Sequence, residues 1–129
     1  MTDVSNIRFS GTDSYLQAAM SGLAARQRTI ANNVANVDTP GFKASEVRFE
    51  DVLQSAVKRA KPGTTVNQSA LDAAARAASQ LDGVTRADGN NVDIDQQMEM
   101  LSEANLNYSA LTQVMSTRLG ILRGVIKGQ

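Results

Sequence analysis

Two long apolar stripes, one towards each end of the chain, set the expected architecture. Alternating steps of four and three from Leu16 pass through Met20, Leu23, Ile30, Val34 and Val37, with Gln27 the only polar entry. That spacing is the seam of a helix packed on another helix. Thr12 or Asp13, after Gly11, can cap such a helix, so the pattern predicts an irregular arm over 1–13 and a first helix over 14–37. The same stepping from Ile94 meets Met98, Leu101, Asn105, Tyr108, Thr112, Met115, Leu119, Leu122 and Ile126, interrupted only by Asn105 and Thr112. A second stripe on that segment runs through Met100, Ala104, Leu111, Val114, Ile121 and Val125. Asp93 with Gln96 forms a capping signal, and Asp95, Glu99 and Glu103 near the start with Arg118, Arg123 and Lys127 near the end complement a helix dipole. A last helix over Ile94–Lys127 follows.

The first stripe of the last helix is expected to pack on the first helix. One clear stripe there covers only one of the two, so Met100, Leu111, Val114, Ile121 and Val125 are the candidates for contact between subunits.

The middle is punctuated rather than periodic. Pro40-Gly41 ends the first helix, because proline lacks an amide hydrogen and glycine tolerates the positive φ that a type II turn needs. Alternation through Val47 and Phe49, then helical spacing through Leu53, Ala56 and Val57, predicts a short extended piece and a short helix. Lys61-Pro62-Gly63 breaks that helix and opens the polar loop TTVNQS. Ser69 and Asp72 then box an alanine-rich helical segment, ALDAAARAASQL, ending at Gly83. Asp88-Gly89-Asn90-Asn91 reads as a turn. The fold class is therefore mainly α: one domain of long N- and C-terminal helices packed as a coiled-coil-like hairpin, with a short irregular and extended middle region over 38–92.

Composition narrows the function. The chain has 129 residues, 42% hydrophobic but rich in alanine, with three Phe, two Tyr and no Trp. A chain of this size buries only about 65% of its unfolded surface, so apolar faces shared with neighbours are the expected source of stability. Lys plus Arg and Asp plus Glu both total 13, which gives no global field for nucleic acid or anionic lipid. Arg26 and Arg28 are isolated charges, expected in solvated or intersubunit ion pairs. With no cysteine and no histidine, thiol and imidazole chemistry and the usual zinc ligands are absent. No catalytic residue, cofactor or metal is expected, and the chain reads as a non-enzyme. The N-terminus lacks a secretory signal, and no segment has the roughly 20 apolar residues of a membrane span. On these grounds alone the chain reads as cytosolic.

Asn32, Asn33 and Asn36 crowd the last turns before Pro40, where asparagine is a poorer helix former than alanine. Either they are solvated amides at a fraying end, or they bond to a neighbouring helix or chain. The stretch ANNVANVDTPGFK resembles the N-terminal motif of the bacterial flagellar axial proteins of rod, hook and hook junction, roughly ANN(I/L)AN(A/V)xTPG(Y/F)K. The match runs through Asn32, Asn33, Asn36, Thr39, Pro40, Gly41, Phe42 and Lys43. NNVDIDQQMEML and NLNYSALTQVMSTRL are similar to the C-terminal helix of rod proteins. The stretch between residues 50 and 90 is too short for the β-rich outer domain of larger family members, which favours a proximal rod subunit. The resemblance implies a structural subunit that assembles helically into the drive shaft transmitting motor torque. It implies partners among copies of itself and other rod or basal-body proteins, export by the flagellar type III apparatus without a cleaved signal, and a place in the rod within the periplasmic space. The alternatives are another short axial protein or a helical type III secretion chaperone or adaptor, which would form small closed complexes.

Overall fold

The structure is a computed structural model that describes residues 11–59 and 79–128. It is mainly helical. Helix α1 spans Gly11–Ala35, α2 spans Phe49–Arg59 and α3 spans Ile94–Lys127, with two short strands, β1 at Ser45–Glu46 and β2 at Ser79–Gln80. The strands pair antiparallel, Ser45 opposite Gln80 and Glu46 opposite Ser79. The arm at 1–10, the Lys61-Pro62-Gly63 break, the TTVNQS loop and most of the alanine-rich segment lie outside the described residues. The end of that segment is a correction: Ser79–Gln80 is strand where helix was expected. An alanine face offers a helix little burial, whereas here the backbone finds a ladder partner on β1.

α1 is the hub, with both α2 and α3 packed against it. Leu16, Ala18, Ala19, Leu23, Ala25 and Ile30 are buried along it, and Gly22 with them. The small residues among these let neighbouring backbones approach closely, and the larger ones supply most of the apolar burial. On α3, Ala104 is fully buried. Asp93 caps α3 by accepting from the Gln96 backbone N–H at 3.2 Å, and Gly128 closes it in the left-handed conformation at φ 69°.

The two stripes of α3 do not divide as the stepping predicts. The first stripe leaves Ile94, Met98, Leu119 and Leu122 exposed, while Leu101, Tyr108 and Met115 are half-buried. Of the second stripe, Ala104 is buried and Met100 and Leu111 half-buried, yet Val114, Ile121 and Val125 are exposed. Helix geometry explains the exchange. A four-three path repeats every 3.5 residues, but a straight helix turns every 3.6, so such a path drifts about 20° per heptad. Over α3 the second stripe starts against α1 and drifts off it, and the first drifts towards it.

The residues that interrupt the stripes meet each other. Gln27 of α1 donates from Nε2 to Asn105 Oδ1 of α3 at 2.7 Å, a polar pair of the kind that fixes register between packed helices. Asp13 near the start of α1 is buried and ion-paired with Arg118 of α3. Because the pairing is antiparallel and Asp13 meets Arg118, the last turns of α3 run beyond the first described turn of α1. Arg26 departs from expectation. It is not solvated but only 7% exposed, set between Glu50 of α2 and Glu103 of α3 at 3.8 Å each. One buried cation thus spans all three helices.

Leu23 is fully buried at the centre of α1. Leu23→Ala should lower stability to chemical denaturation by about 2 to 5 kcal/mol, whereas Leu106→Ala, at a position 71% exposed, should change it by less than about 0.5 kcal/mol. Similar losses at both sites would refute this assignment of the core.

Candidate functional site

One end of the helical hairpin is closed by a polar joint centred on Asn33, which has no solvent exposure. Its amide nitrogen donates to Ser45 O at 2.8 Å and to Gln97 Oε1 at 2.9 Å. Its Oδ1 accepts from Ser45 N–H at 3.0 Å. The side chain therefore pairs with Ser45 as a neighbouring strand would, meeting both its N–H and its C=O. Through Gln97, itself buried, the same amide reaches the first turn of α3.

The end of α1 is capped by Asn90, also fully buried. Its Nδ2 lies 2.9 Å from Asn36 O, 3.0 Å from Val37 O and 2.9 Å from Thr39 O. Two hydrogens are thus shared among three carbonyls just past the end of α1, of which Asn36 O also accepts from Thr39 N–H at 3.0 Å. Arg86 donates a further bond to Val37 O. Asn90 is held in turn by its own loop, its backbone N–H donating to Asp88 Oδ1 and its Oδ1 accepting from Val92 N–H.

Between these amides runs the Pro-Gly turn. Phe42 N–H donates to Thr39 O at 3.2 Å, and Gly41 has φ 75°, the arrangement of a type II turn. Gly41 N–H donates to Asp88 O at 2.8 Å and Asn91 N–H to Phe42 O at 3.3 Å. Asn91 then bridges, accepting from Ala44 N–H at 2.7 Å and donating to Leu81 O at 2.8 Å. A Cβ on Gly89, at φ 84°, would lie 3.3 Å from Gly41 Cα, so the two turns are pressed backbone to backbone.

The motif residues thus divide. Asn33 is buried and Phe42 half-buried, while Asn32, Thr39, Pro40, Gly41 and Lys43 are exposed. Asn36 is half-buried and works locally, donating to Asn32 O at 2.8 Å and accepting from the Thr39 hydroxyl at 3.2 Å. Lys43 Nζ donates to Thr85 Oγ1 at 3.1 Å. Asn90, Asn91 and Gln97 were not singled out by sequence reasoning, which read the first two as a turn. Their signal was present in the NNVDIDQQMEML stretch, where a pair of amides precedes the cap of α3 and a third falls on its first turn. The seam residues of α1, namely Leu16, Met20, Leu23, Ile30 and Val34, lie on its packed side, and all are buried or half-buried. At the other end, the exposed apolar side chains of α3 are uncovered among the described residues, with Ile121 63% and Val125 74% exposed. No described helix is long and apolar enough to cross a membrane.

A family model described as flagella basal body rod protein matches residues 16–43, the packed side of α1 through to the Pro-Gly turn. The flagellar basal body rod protein FlgB of Bacillus subtilis (strain 168) is 35% identical over 124 residues, covering 93% of this chain and 96% of that protein. The chain belongs to the flagellar basal-body rod proteins. Similar rod proteins are FlgB of Borrelia hermsii, 34% identical over 118 residues with 81% and 87% of the two chains covered, and FlgB of Yersinia enterocolitica, 32% identical over 137 residues with 94% and 92% covered. In this rod protein the segment matched by the family model supplies Asn33 and the Pro-Gly turn to the joint, and Ala44, Ser45 and residues 81–97, beyond that match, supply the rest.

Asn90→Ala should remove the donor shared by the Asn36, Val37 and Thr39 carbonyls and leave the buried Val92 N–H without its acceptor, at a cost of about 1 to 3 kcal/mol. The measurement is chemical denaturation together with amide exchange over residues 36–42, and unchanged protection there would contradict the capping role. Gly41→Val forces a β-branched residue to positive φ, with a strain of about 1 to 3 kcal/mol. Incorporation of this variant into basal bodies should fall, and normal incorporation would show that the turn does not set the chain's exit from α1.

Proposed function

We propose that this chain is a structural, non-catalytic subunit of the proximal rod of the flagellar basal body, assembling helically with copies of itself and with other rod and basal-body proteins into the shaft that transmits motor torque. Membership of the rod family supports the reading, and the observation that carries it is the outward stripe Val114, Ile121 and Val125. These side chains are exposed on a helix whose other side is already packed on α1. Apolar residues aligned along a rigid helix form a contact surface for a neighbour. Through Met100 and Leu111 that surface continues the packing against α1, so a neighbouring subunit would extend the same layer. The chain reaches the periplasmic space through the flagellar type III export apparatus, without a cleaved signal. A chaperone reading has less support, because the relatives are named as rod proteins.

Folding is coupled to assembly in this reading. Ordering the backbone costs about 1 to 2 kcal/mol per residue, and an alanine-rich hub helix leaves part of the compensation to neighbours. Val114→Asp and Ile121→Asp should therefore leave the circular dichroism and melting of the isolated chain unchanged but lower incorporation into basal bodies by about tenfold or more, since the carboxylate is desolvated only on assembly. Leu101→Asp should also damage the isolated chain. Normal incorporation of Ile121→Asp, or a free chain that is fully protected from amide exchange, would overturn the reading.

A further inference from the structure

α3 presents exposed apolar side chains on both of its flanks, and polar contacts mark which flank is which. Glu103 reaches Arg26, which also pairs with Glu50 of α2, so Glu103 lies on the flank where α2 sits against α1. Asn105 accepts from Gln27 on the other flank. At about 100° per residue, Ile121 stands five whole turns beyond Glu103 and shares its flank, together with Val125. Met98 stands two turns before Asn105 and shares the other flank, with Ile94 one turn further back. All four of these apolar side chains are exposed.

The flank with Met98 and Ile94 is a surface of two helices. Asn33 of α1 bonds to Gln97 of α3, and the helices run antiparallel. Ala31 and Ala35, two positions to either side of Asn33, therefore stand level with Met98 and Ile94 to within about one residue's rise, and both alanines are exposed. On each helix the paired residues are four apart, and so are Ile121 and Val125. Rows of residues four apart form the ridges of a helix surface, and the space between two such rows accepts the ridge of another helix. Alanine on one side of that space leaves room for branched side chains. Charge supports the same match. Asp95 and Glu99 border the patch and outnumber Arg28, the cation one turn from Ala31, whereas the turns of α3 around Ile121 and Val125 carry Arg123 and Lys127 and no acid.

We infer that Ile121 and Val125 of one copy dock on the patch formed by Ala31, Ala35, Ile94 and Met98 of the next, with both copies pointing the same way. The inference rests on the rod-subunit reading and names the surface that the outward stripe meets. The two surfaces are unlike and lie on opposite flanks of the same helix, so each copy keeps one of them free for a further copy, and the contact is heterologous. Val125 follows Met98 by 27 positions, which at 1.5 Å per residue staggers neighbouring copies by about 40 Å along α3. That stagger makes the repeat a helix rather than a flat ring. Copies set level with each other would oppose acid to acid and base to base, whereas the stagger brings Arg123 and Lys127 of one copy alongside Asp95 and Glu99 of the next.

The test is disulfide trapping in isolated basal bodies, and the chain has no cysteine of its own to interfere. Met98→Cys and Val125→Cys placed in one chain lie about 40 Å apart on one helix, too far for a bridge within that chain. Mild oxidation should give a ladder of dimers and longer oligomers from the double variant and no product from either single variant. Basal bodies that contain the double variant but yield no ladder, or a dimer formed by a single variant with itself, would overturn the pairing. Ala31→Leu probes the same contact without thiols and decides the matter if the double variant does not assemble. The added side chain fills the space beside Met98, so incorporation should fall about tenfold, while circular dichroism and melting of the free chain stay unchanged. Normal incorporation of Ala31→Leu would overturn the pairing as well. None of these results touches the rod assignment, which would instead fall if the wild-type chain were absent from basal bodies.

Discussion

Burying an asparagine with nothing to bond would cost about 1 to 3 kcal/mol, and the closed end of this molecule is arranged so that Asn33 never bears that cost. Both its hydrogens and its oxygen are engaged, on Ser45 and Gln97. Three placements follow from that one amide. The extended segment after the Pro-Gly turn is held against α1, the start of α3 is held against both, and the loop before α3 is brought close enough for Asn90 to cap α1. An aliphatic side chain at position 33 could fill the space but could not orient a strand backbone. The bonds at this end are directional, and so is the geometry they impose.

The opposite end is built differently. There the hairpin is tied by the Asp13–Arg118 ion pair and by Gln27 with Asn105, and beyond these α3 offers exposed apolar side chains. Arg26 joins the two regimes. Its guanidinium is buried and its Nε lacks a hydrogen-bond partner, while the carboxylates of Glu50 and Glu103 stay largely in solvent. Such an arrangement offsets the desolvation of the cation only partly, and its value lies in linking α2 and α3, which touch α1 but not each other among the described residues.

Much of this architecture is legible in the sequence, for identifiable reasons. The bounds of α3 follow from Asp93 and from the distribution of acid and base, and the turn at Pro40-Gly41 follows from the chemistry of those two residues. Which side of α3 faces α1 is not legible, because a stepping rule assumes a supercoil and a straight helix drifts from it. The asparagines of the motif satisfied both open readings at once: Asn33 is a buried bond and Asn32 a solvated amide. Asn90 and Arg26 escaped because residue type alone gives a turn and an isolated charge. Their burial is a property of the packed helices and is not written in either local segment. Ser79–Gln80 escaped because helix propensity is a local preference that a ladder partner more than 30 positions away can override.

The joint also imposes an order on folding. Asn33 meets Gln97 across 64 positions, and Asn90 reaches the end of α1 across as many as 54. A chain made from its N-terminus carries α1 complete but uncapped until residue 90 has emerged, and the Pro-Gly turn has no loop to press against until then. Contacts of such long separation are slow to close. Any process that handles the chain from its N-terminus therefore meets α1 with a loose end first, and the molecule acquires its fixed geometry only when the last third of the sequence arrives.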